Sequence, residues 1–409
     1  MKRFFTAVLA ALTLLSTAAC GSAPAPVPSS GSSSAASSTQ EPALSPEERY
    51  RQEQEALAQQ REQRLQDLLD SMTLEEKVGQ LFFVRCPADH AVEDLQTYHL
   101  GGYLLFGRDF KNGDSWLNWQ QLTEKLLDYQ AAAEIPLFIG SDEEGGSVTR
   151  VSRDPHLFSQ PFSAPQTLYQ NGGMDAVIQD VRNKSLALTQ LGINVNLAPV
   201  CDVAEDPGSF LYDRTLGQDA QTTTDYVSRT VQTMNGCGLL SVLKHFPGYG
   251  DNADTHTGSA VDSRPMERFE SVDFLPFQAG IDADAPFVLV SHNIVQCMDP
   301  DLPASLSPEV HRILRQQLSF SGVILTDDLA MDAVSAYAGN GSVAVMALQA
   351  GNDMVVTTDY RTQIPAVIDA VNRGDLTEEV INEACLRVLR CKERYALLKL
   401  DLTTSPLRP

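Results

Sequence analysis

The feature that most constrains the fold of this chain is a regular alternation of short apolar segments with helical segments. Eight apolar or β-branched runs lie between residues 80 and 360. Strands that alternate with helices form parallel sheets, and eight such units suit a closed (β/α)8 TIM-type barrel. The predicted strands are 81–84, 102–106, 136–140, 193–198, 239–243, 287–291, 322–326 and 354–357.

Helical patterns occupy most of the gaps between these strands. They cover 116–132, 176–191, 222–234 and 307–318, and a long amphipathic helix is predicted at 377–398. Thr73 with Glu76 three residues later has capping-box spacing, which predicts a helix start. A doubly wound open sheet is the alternative fold. No GxGxxG motif follows the first strand, so a dinucleotide site has no support.

The first twenty residues have the pattern of an export signal. Lys2 and Arg3 precede an apolar run that is too short to span a bilayer, and small residues then lead to Cys20. The segment 17–20 resembles a bacterial lipobox, so we expect Cys20 to be lipidated and the mature protein to be an extracytoplasmic, membrane-anchored lipoprotein. Ordinary signal-peptidase cleavage is the alternative, because Thr17 is a less usual residue there than Leu.

Composition divides the rest of the chain. Residues 21–45 are almost entirely Ser, Ala, Pro, Gly and Thr, which cannot bury a core, and we interpret them as a disordered tether. Residues 46–67 are predicted to form a helical spacer. The stretch 68–400 suits one large domain without internal repeats. We expect a monomer.

Charge and cysteine content exclude several classes of protein. The net charge of −23 argues against a nucleic-acid partner, since phosphate contacts need clustered Lys and Arg. The cysteines are scattered and form no CxxC pair, so neither a zinc site nor a disulfide framework is indicated. We therefore expect neither a metal nor a cofactor.

Charged and imidazole residues follow most of the predicted strands, which is where a barrel carries its catalytic groups. They are Arg85, Arg108, Asp142, Asp202, Lys244 with His245, His292, and Asp327 with Asp328. A mouth rich in carboxylates and cations suits a polyhydroxylated ligand, because Asp accepts hydrogen bonds from sugar hydroxyls while Arg and Lys donate to their oxygens.

The densest polar cluster lies in residues 244–256. Lys244 and His245 end a buried apolar run, and Asp254 and His256 follow in a loop containing Gly and Pro. In an Asp-x-His arrangement the carboxylate holds one ring nitrogen and leaves the other to give or take a proton. Glycoside hydrolysis needs such a group and a second one across the anomeric carbon, and Asp327 at a rigid strand end is placed to supply it.

Two other interpretations of this cluster remain open. His245, Asp251, Asp254 and His256 offer donors that ligate zinc or iron, but their spacing matches no strong metal signature. A catalytically silent sugar-binding lipoprotein is the second alternative. Only the presence of both candidate catalytic groups favours an enzyme.

Four ordered motifs carry a family resemblance. They are KHFPGYGDNADTH at 244–256, DEEGGSVTR at 142–150, NLAPVCD at 196–202 with DRTLG at 213–217, and TDDLAM at 326–331. Together they resemble the signatures of glycoside hydrolase family 3 β-N-acetylglucosaminidases of the NagZ type. The resemblance runs from about residue 68 to about residue 398.

The resemblance implies a mechanism and a substrate. Asp327 would be the nucleophile that forms a covalent glycosyl-enzyme, and His256 paired with Asp254 would be the acid/base. Family members release terminal β-linked N-acetylglucosamine with retention and without metal, here from wall-derived glycans or muropeptides, with a β-glucosidase or another β-glycosidase as the alternative. The implied sugar-binding residues are Asp142, Arg150, Arg214, Lys244 and His245.

Three positions depart from the family pattern. Tyr249 stands where many members have His, Glu143 replaces Gln, and Ser147 replaces Arg. None of them touches the implied nucleophile or acid/base pair. Tyr249 and Ser147 bear on the preferred substrate.

Overall fold

Eight parallel strands form the central sheet. The computed structural model describes residues 45–250, 260–335, 337 and 341–402. The strands are β1 Phe82–Arg85, β2 Gly102–Leu105, β3 Phe138–Ser141, β4 Val195–Asn196, β5 Leu240–Phe246, β6 Phe287–Val290, β7 Val323–Thr326 and β8 Val355–Thr357. Each corresponds to one predicted segment, so all eight strand predictions are confirmed.

The strand order gives a barrel. Successive strands from β1 to β7 are neighbours, and β8 returns to pair with β1, with Phe82 beside Val355. A parallel bridge between Leu325 and Met354 joins β7 to the start of β8 and closes the sheet. The (β/α)8 prediction is therefore confirmed, and the carboxyl ends of all eight strands meet at one mouth.

Two strands differ in length from their predictions by more than one residue. β4 is limited to Val195–Asn196, and Pro199 just beyond it has no N–H for a ladder bond. β5 is longer than predicted, so Lys244 and His245 belong to the strand itself. Their buried polar groups are tolerated there because partners on other strand ends satisfy them, as described below.

Helices connect most of the strands. The longer ones are Pro46–Ser71, Leu74–Gln80, Ala91–Tyr98, Trp119–Ala132, Pro165–Leu191, Ala220–Gly236, Phe274–Asp282, Val343–Ala350, Tyr360–Arg373 and Glu378–Arg394. Shorter helical segments are Gly107–Phe110, Tyr212–Arg214, Met266–Arg268, Phe269–Asp273, Ala304–Leu306, Pro308–Arg312, Ile313–Gln317 and Asp332–Ser335. Among the described residues, none of these helices is both long and apolar enough to cross a membrane.

Capping explains where several helices begin. The predicted capping box is present, with the Thr73 N–H donating to Glu76 Oε2 at 2.6 Å. The helix predicted from residue 116 begins at Trp119, because Asn118 caps it through the Gln121 N–H at 3.0 Å. The helix predicted from residue 176 extends back to Pro165, with a non-helical break at Gly173.

The helix predicted at 46–67 continues to Ser71. Leu65 and Leu69 on it are buried. Gln60 Nε2 donates to the Leu402 carbonyl at 2.7 Å, and Glu62 pairs with Arg390 on the last helix. The part of this helix from Gln60 onward is thus held by side-chain contacts with the C-terminal region of the chain.

Aromatic rings fill the barrel interior below the mouth. Phe138 on β3 lies 5.1 Å from Phe287 on β6 and 6.5 Å from Phe83 on β1, measured between ring centroids. Because β3 and β6 are not neighbours, the first contact crosses the barrel. Gly140 leaves the room for this packing, since a Cβ there would lie 2.5 Å from Phe83 Cζ. The filled interior leaves the mouth as the place for a ligand.

Candidate active site

A pocket of about 420 Å³ opens at the carboxyl ends of the strands. Its walls come from the ends of strands distributed around the barrel, including β1, β3, β5 and β7. It brings together eight of the residues predicted from the sequence, which are Arg85, Asp142, Arg150, Arg214, Lys244, His245, Asp327 and Asp328. Residues more than a hundred positions apart in the chain therefore share one cavity.

Lys244 is the centre of a buried charge network. Its Nζ lies 2.8 Å from Asp142 Oδ1 and 2.6 Å from Glu144 Oε1. Arg214 grips the same glutamate, with Nε 3.0 Å from Oε2 and Nη2 2.8 Å from Oε1. Burial opposes ionisation of Glu144, but Lys244 and Arg214 outweigh it and lower the pKa of its carboxyl to about 2.

The same balance keeps Lys244 protonated. Burial acts to lower the pKa of its ammonium group, but the charges of Asp142 and Glu144 outweigh burial and raise that pKa above its ordinary value. The network thus presents a fixed cation and fixed carboxylates to the pocket. Such groups suit the hydroxyl oxygens and hydrogens of a sugar.

His245 is oriented by Asp202. Its Nδ1 lies 2.8 Å from Asp202 Oδ2, and its Nε2 lies 3.3 Å from Arg214 Nη2. A guanidinium only donates, so Nε2 accepts and Nδ1 carries the proton that is donated to Asp202. Burial acts to raise the pKa of Asp202, but His245 and the backbone donors outweigh it and lower that pKa, so the carboxylate stays ionised.

Asp327 is the first residue after β7. Its N–H donates to the Val290 carbonyl of β6 at 2.9 Å, which fixes its backbone against the neighbouring strand. Its Oδ1 accepts the N–H of Asp328 at 2.8 Å. The carboxylate therefore stands at the pocket on a backbone held by the barrel, as predicted.

His292 supports this segment from behind. It is fully buried, and its Nε2 lies 3.1 Å from the Asp328 carbonyl while Nδ1 lies 2.7 Å from Ser305 Oγ. A ring held in this way braces the backbone of residues 327–328. The sequence predicts His292 at the mouth because it follows a strand. In the structure it supports the neighbouring backbone and does not line the pocket.

Glu143 shapes the loop that carries Arg150. It is buried, and its Oε2 accepts the backbone N–H groups of Arg150 at 2.9 Å and Val151 at 2.7 Å. Its other oxygen bonds the Ser152 hydroxyl. The Ser152 N–H also donates to Oε2, so the departure from Gln places a carboxylate where four backbone or hydroxyl donors converge. Arg150 is fixed at the pocket as a result.

Tyr249 packs behind His245. It is 3% exposed, and its ring makes edge contacts with His245 at 5.3 Å and with Phe210 at 5.4 Å between centroids. Its N–H donates to Asp202 Oδ1 at 2.7 Å. This departure from the family pattern thus lies beneath the pocket wall, where it restrains the imidazole and its carboxylate partner.

Several predicted residues lie outside the described residues. Asp254 and His256, the predicted acid/base pair, are among them, and so is Cys20. The alternative metal site also includes Asp251, which lies outside as well. Its remaining member, His245, has both ring nitrogens engaged by protein groups.

The sequence placed Asp202 after a predicted strand but gave it no specific partner, and it gave no role to Glu144. Both are buried carboxylates that hold the cation and the imidazole of the pocket. A signal was present, because Lys244 and His245 within a buried strand require nearby counter-charges. The sequence did not identify which of its many carboxylates meet them.

A closed parallel barrel whose mouth holds carboxylates, cations and a histidine provides a polar site that suits a polyhydroxylated ligand. The Glycosyl hydrolase family 3 N terminal domain matches residues 73–391, and the chain belongs to this family.

The relatives fit this membership. A Beta-hexosaminidase from Xanthomonas campestris is 32% identical over 266 residues, which cover 64% of this chain and 78% of the relative. Beta-hexosaminidase LpqI from Mycobacterium tuberculosis is 31% identical over 338 residues, covering 78% and 82%. A family 3 β-N-acetylglucosaminidase structure from a Paenibacillus species matches with a TM-score of 0.73 at 29% identity, and the match covers 82% of this chain and 65% of that chain.

The charge network predicts a specific acid dependence of stability. The pKa of Glu144 is about 2 in the folded protein and about 4.5 in the unfolded chain. Below pH 4.5 only the unfolded chain takes up this proton, so its contribution of about 3 kcal/mol is lost as pH falls from about 4.5 towards 2. Glu144→Gln should lower the unfolding free energy at pH 7 by a similar amount. It should also reduce the loss of unfolding free energy that accompanies acidification below about pH 4.5.

Denaturant unfolding between pH 3 and pH 7 measures both effects. Asp375→Asn is the matched control, since Asp375 pairs with Arg373 at 2.8 Å and both side chains are more than half exposed. Such a surface pair should contribute less than about 1 kcal/mol. If the unfolding free energy varied with pH equally in the wild type and in Glu144→Gln, the lowered pKa of Glu144 would be contradicted.

Proposed function

We propose that this protein is a retaining, exo-acting β-N-acetylglucosaminidase. Membership of family 3 and the Beta-hexosaminidase relatives support the reaction class. The observation that carries the proposal is that Asp327 lines the same pocket as the charge network of Lys244, Asp142 and Arg214. Terminal N-acetylglucosamine on wall-derived glycans or muropeptides is the proposed substrate.

The sugar would be held by groups that are already in place. Asp142 accepts hydrogen bonds from hydroxyls, while Lys244, Arg214 and Arg150 donate to hydroxyl oxygens. Lys244 and Arg214 are fixed by Glu144, so little reorganisation accompanies binding. Arranged donors and acceptors of this kind orient the anomeric carbon towards Asp327.

The reaction would proceed in two displacements. An Asp327 oxygen attacks the anomeric carbon, the glycosidic bond breaks, and His256 gives its proton to the departing oxygen. Water then attacks the same carbon, His256 takes up a water proton, and the bond to Asp327 breaks. Each step inverts the anomeric centre, so the net outcome is retention. Asp254 would hold the His256 ring and stabilise its protonated form.

Hydrolysis of a chromogenic N-acetyl-β-glucosaminide tests the activity. Asp327→Ala should lower kcat by about 10⁴-fold or more, because it removes the attacking carboxylate. Asp301→Ala, at an exposed aspartate outside the pocket, is the control and should match the wild type. Turnover of a plain β-glucoside without turnover of the N-acetyl substrate would refute the specificity. Binding without hydrolysis at any pH would identify a sugar-binding protein instead.

His256→Ala should discriminate between leaving groups. An aglycone that leaves as a stable phenolate needs no proton, whereas an alkoxide does. The variant should therefore lose about 10²–10⁴-fold on a disaccharide and much less on the 4-nitrophenyl glycoside. Paired measurements of kcat/KM on the two substrates check this. Equal losses on both would argue against an acid role, and loss of wild-type activity in EDTA would favour the metal alternative.

We also propose an extracytoplasmic, membrane-anchored location. The support is the export-signal pattern of residues 1–20, the lipobox-like segment before Cys20 and the tether-like composition of 21–45. Cys20→Ala should move the protein from the membrane fraction to the soluble fraction of a bacterial host, because the lipid attachment point is lost. Cys297→Ala, an exposed cysteine, is the control. Unchanged membrane association of Cys20→Ala would refute the anchor.

A further inference from the structure

A second pocket, of about 600 Å³, adjoins the proposed sugar pocket. The two share Arg85, Phe106 and Arg150. We call the second pocket the cationic annex, and its five cations are Arg85, Arg108, Lys111, Arg150 and Arg153. Among the residues that the structure describes, no carboxylate lines it. In a chain whose net charge is −23, such a concentration of positive charge requires a physical reason.

Most of these cations lack a carboxylate partner among the described residues. Arg85, Lys111, Arg150 and Arg153 make no ion pair within 4.0 Å there, while Arg108 lies 3.8 Å from Asp109. Most other described arginines are paired with a carboxylate. The Nε atoms of Arg85 and Arg150 are also buried without a hydrogen-bond partner in the described chain. An unsatisfied buried donor costs about 1–3 kcal/mol, which a ligand acceptor would offset.

Other contacts hold the cations in place. The Arg85 guanidinium lies 4.3 Å from the Phe106 ring centroid, and Lys111 Nζ lies 4.4 Å from that of Trp116. Arg153 donates from Nη2 to the Ser147 carbonyl at 2.9 Å. Aromatic faces and carbonyls position a cation without neutralising it with a full negative charge. The annex is therefore preformed and remains electropositive.

We propose that the cationic annex binds an oxyanion, a carboxylate or a phosphate, carried by the aglycone of the substrate. The inference rests on the proposed function, because an exo-acting enzyme places the terminal sugar in the pocket and the aglycone beyond it. Arg85 and Arg150 line both pockets, so the anion would lie next to the bound sugar. Guanidinium groups bind carboxylate and phosphate oxygens in paired hydrogen bonds.

The test compares three aryl N-acetyl-β-glucosaminides whose aglycones carry no charge, a carboxylate or a phosphate. The double variant Lys111→Gln/Arg153→Gln removes two annex cations that do not line the sugar pocket. Its kcat/KM should fall about tenfold on the anionic substrates and stay within about twofold on the neutral one. Arg312→Gln/Arg373→Gln removes the same charge from two exposed sites as the control.

The outcomes separate this inference from the proposed function. Selective loss on either anionic substrate, absent from the control, supports the annex, and the affected substrate identifies the anion. Equal loss on all three substrates, or no loss, overturns it while leaving the glycosidase intact. If the wild type cleaves none of the three, the proposed function itself fails. Sodium chloride should weaken turnover of the anionic substrates selectively in the wild type.

Discussion

The ammonium group of Lys244 meets the carboxylates of Asp142 and Glu144 inside the barrel mouth, and the rest of the site depends on this contact. Removing a charge from water costs several kcal/mol, so Lys244 is tolerated in a buried strand only while both partners are present. The pairing joins the end of β3 to β5 across the intervening strand β4. The ion pair between Lys244 and Asp142 therefore depends on the register of β3, β4 and β5, which brings the two charges together.

The network also determines how the pocket meets a ligand. Glu144 anchors both Lys244 and Arg214, and Arg214 in turn donates to the imidazole that Asp202 holds from the other side. The shifted pKa values keep Lys244 protonated and Glu144 and Asp202 ionised at neutral pH, so these charges are in place before a ligand binds. A polar site that is organised before the ligand arrives undergoes little rearrangement as charge develops, which is the basis of electrostatic catalysis.

The sequence was sufficient for the barrel and for the main members of the pocket. Local apolar runs identified each of the eight barrel strands, and the rule that functional groups follow strands placed Asp142 and Asp327 at the mouth. It was not sufficient to identify the partners of Glu144 and Asp202 or the contact by which His292 supports the Asp328 backbone. Their roles arise from pairings between distant parts of the chain, and local periodicity carries no information about such pairings. Tyr249 is similar, because its role depends on the ring that packs beside it.

The distribution of charge constrains how an anionic substrate would be recognised. The overall charge of −23 repels an anion at long range and slows its approach. Screening confines this repulsion to roughly 8 Å at physiological salt. Within that distance the annex dominates, because carboxylates neutralise Lys244 and Arg214 in the sugar pocket, whereas most annex cations have no carboxylate partner among the described residues. Selection for an anionic aglycone would therefore come from short, directed contacts that form after the substrate has reached the site. A neutral glycoside would experience neither the long-range repulsion nor the short-range attraction.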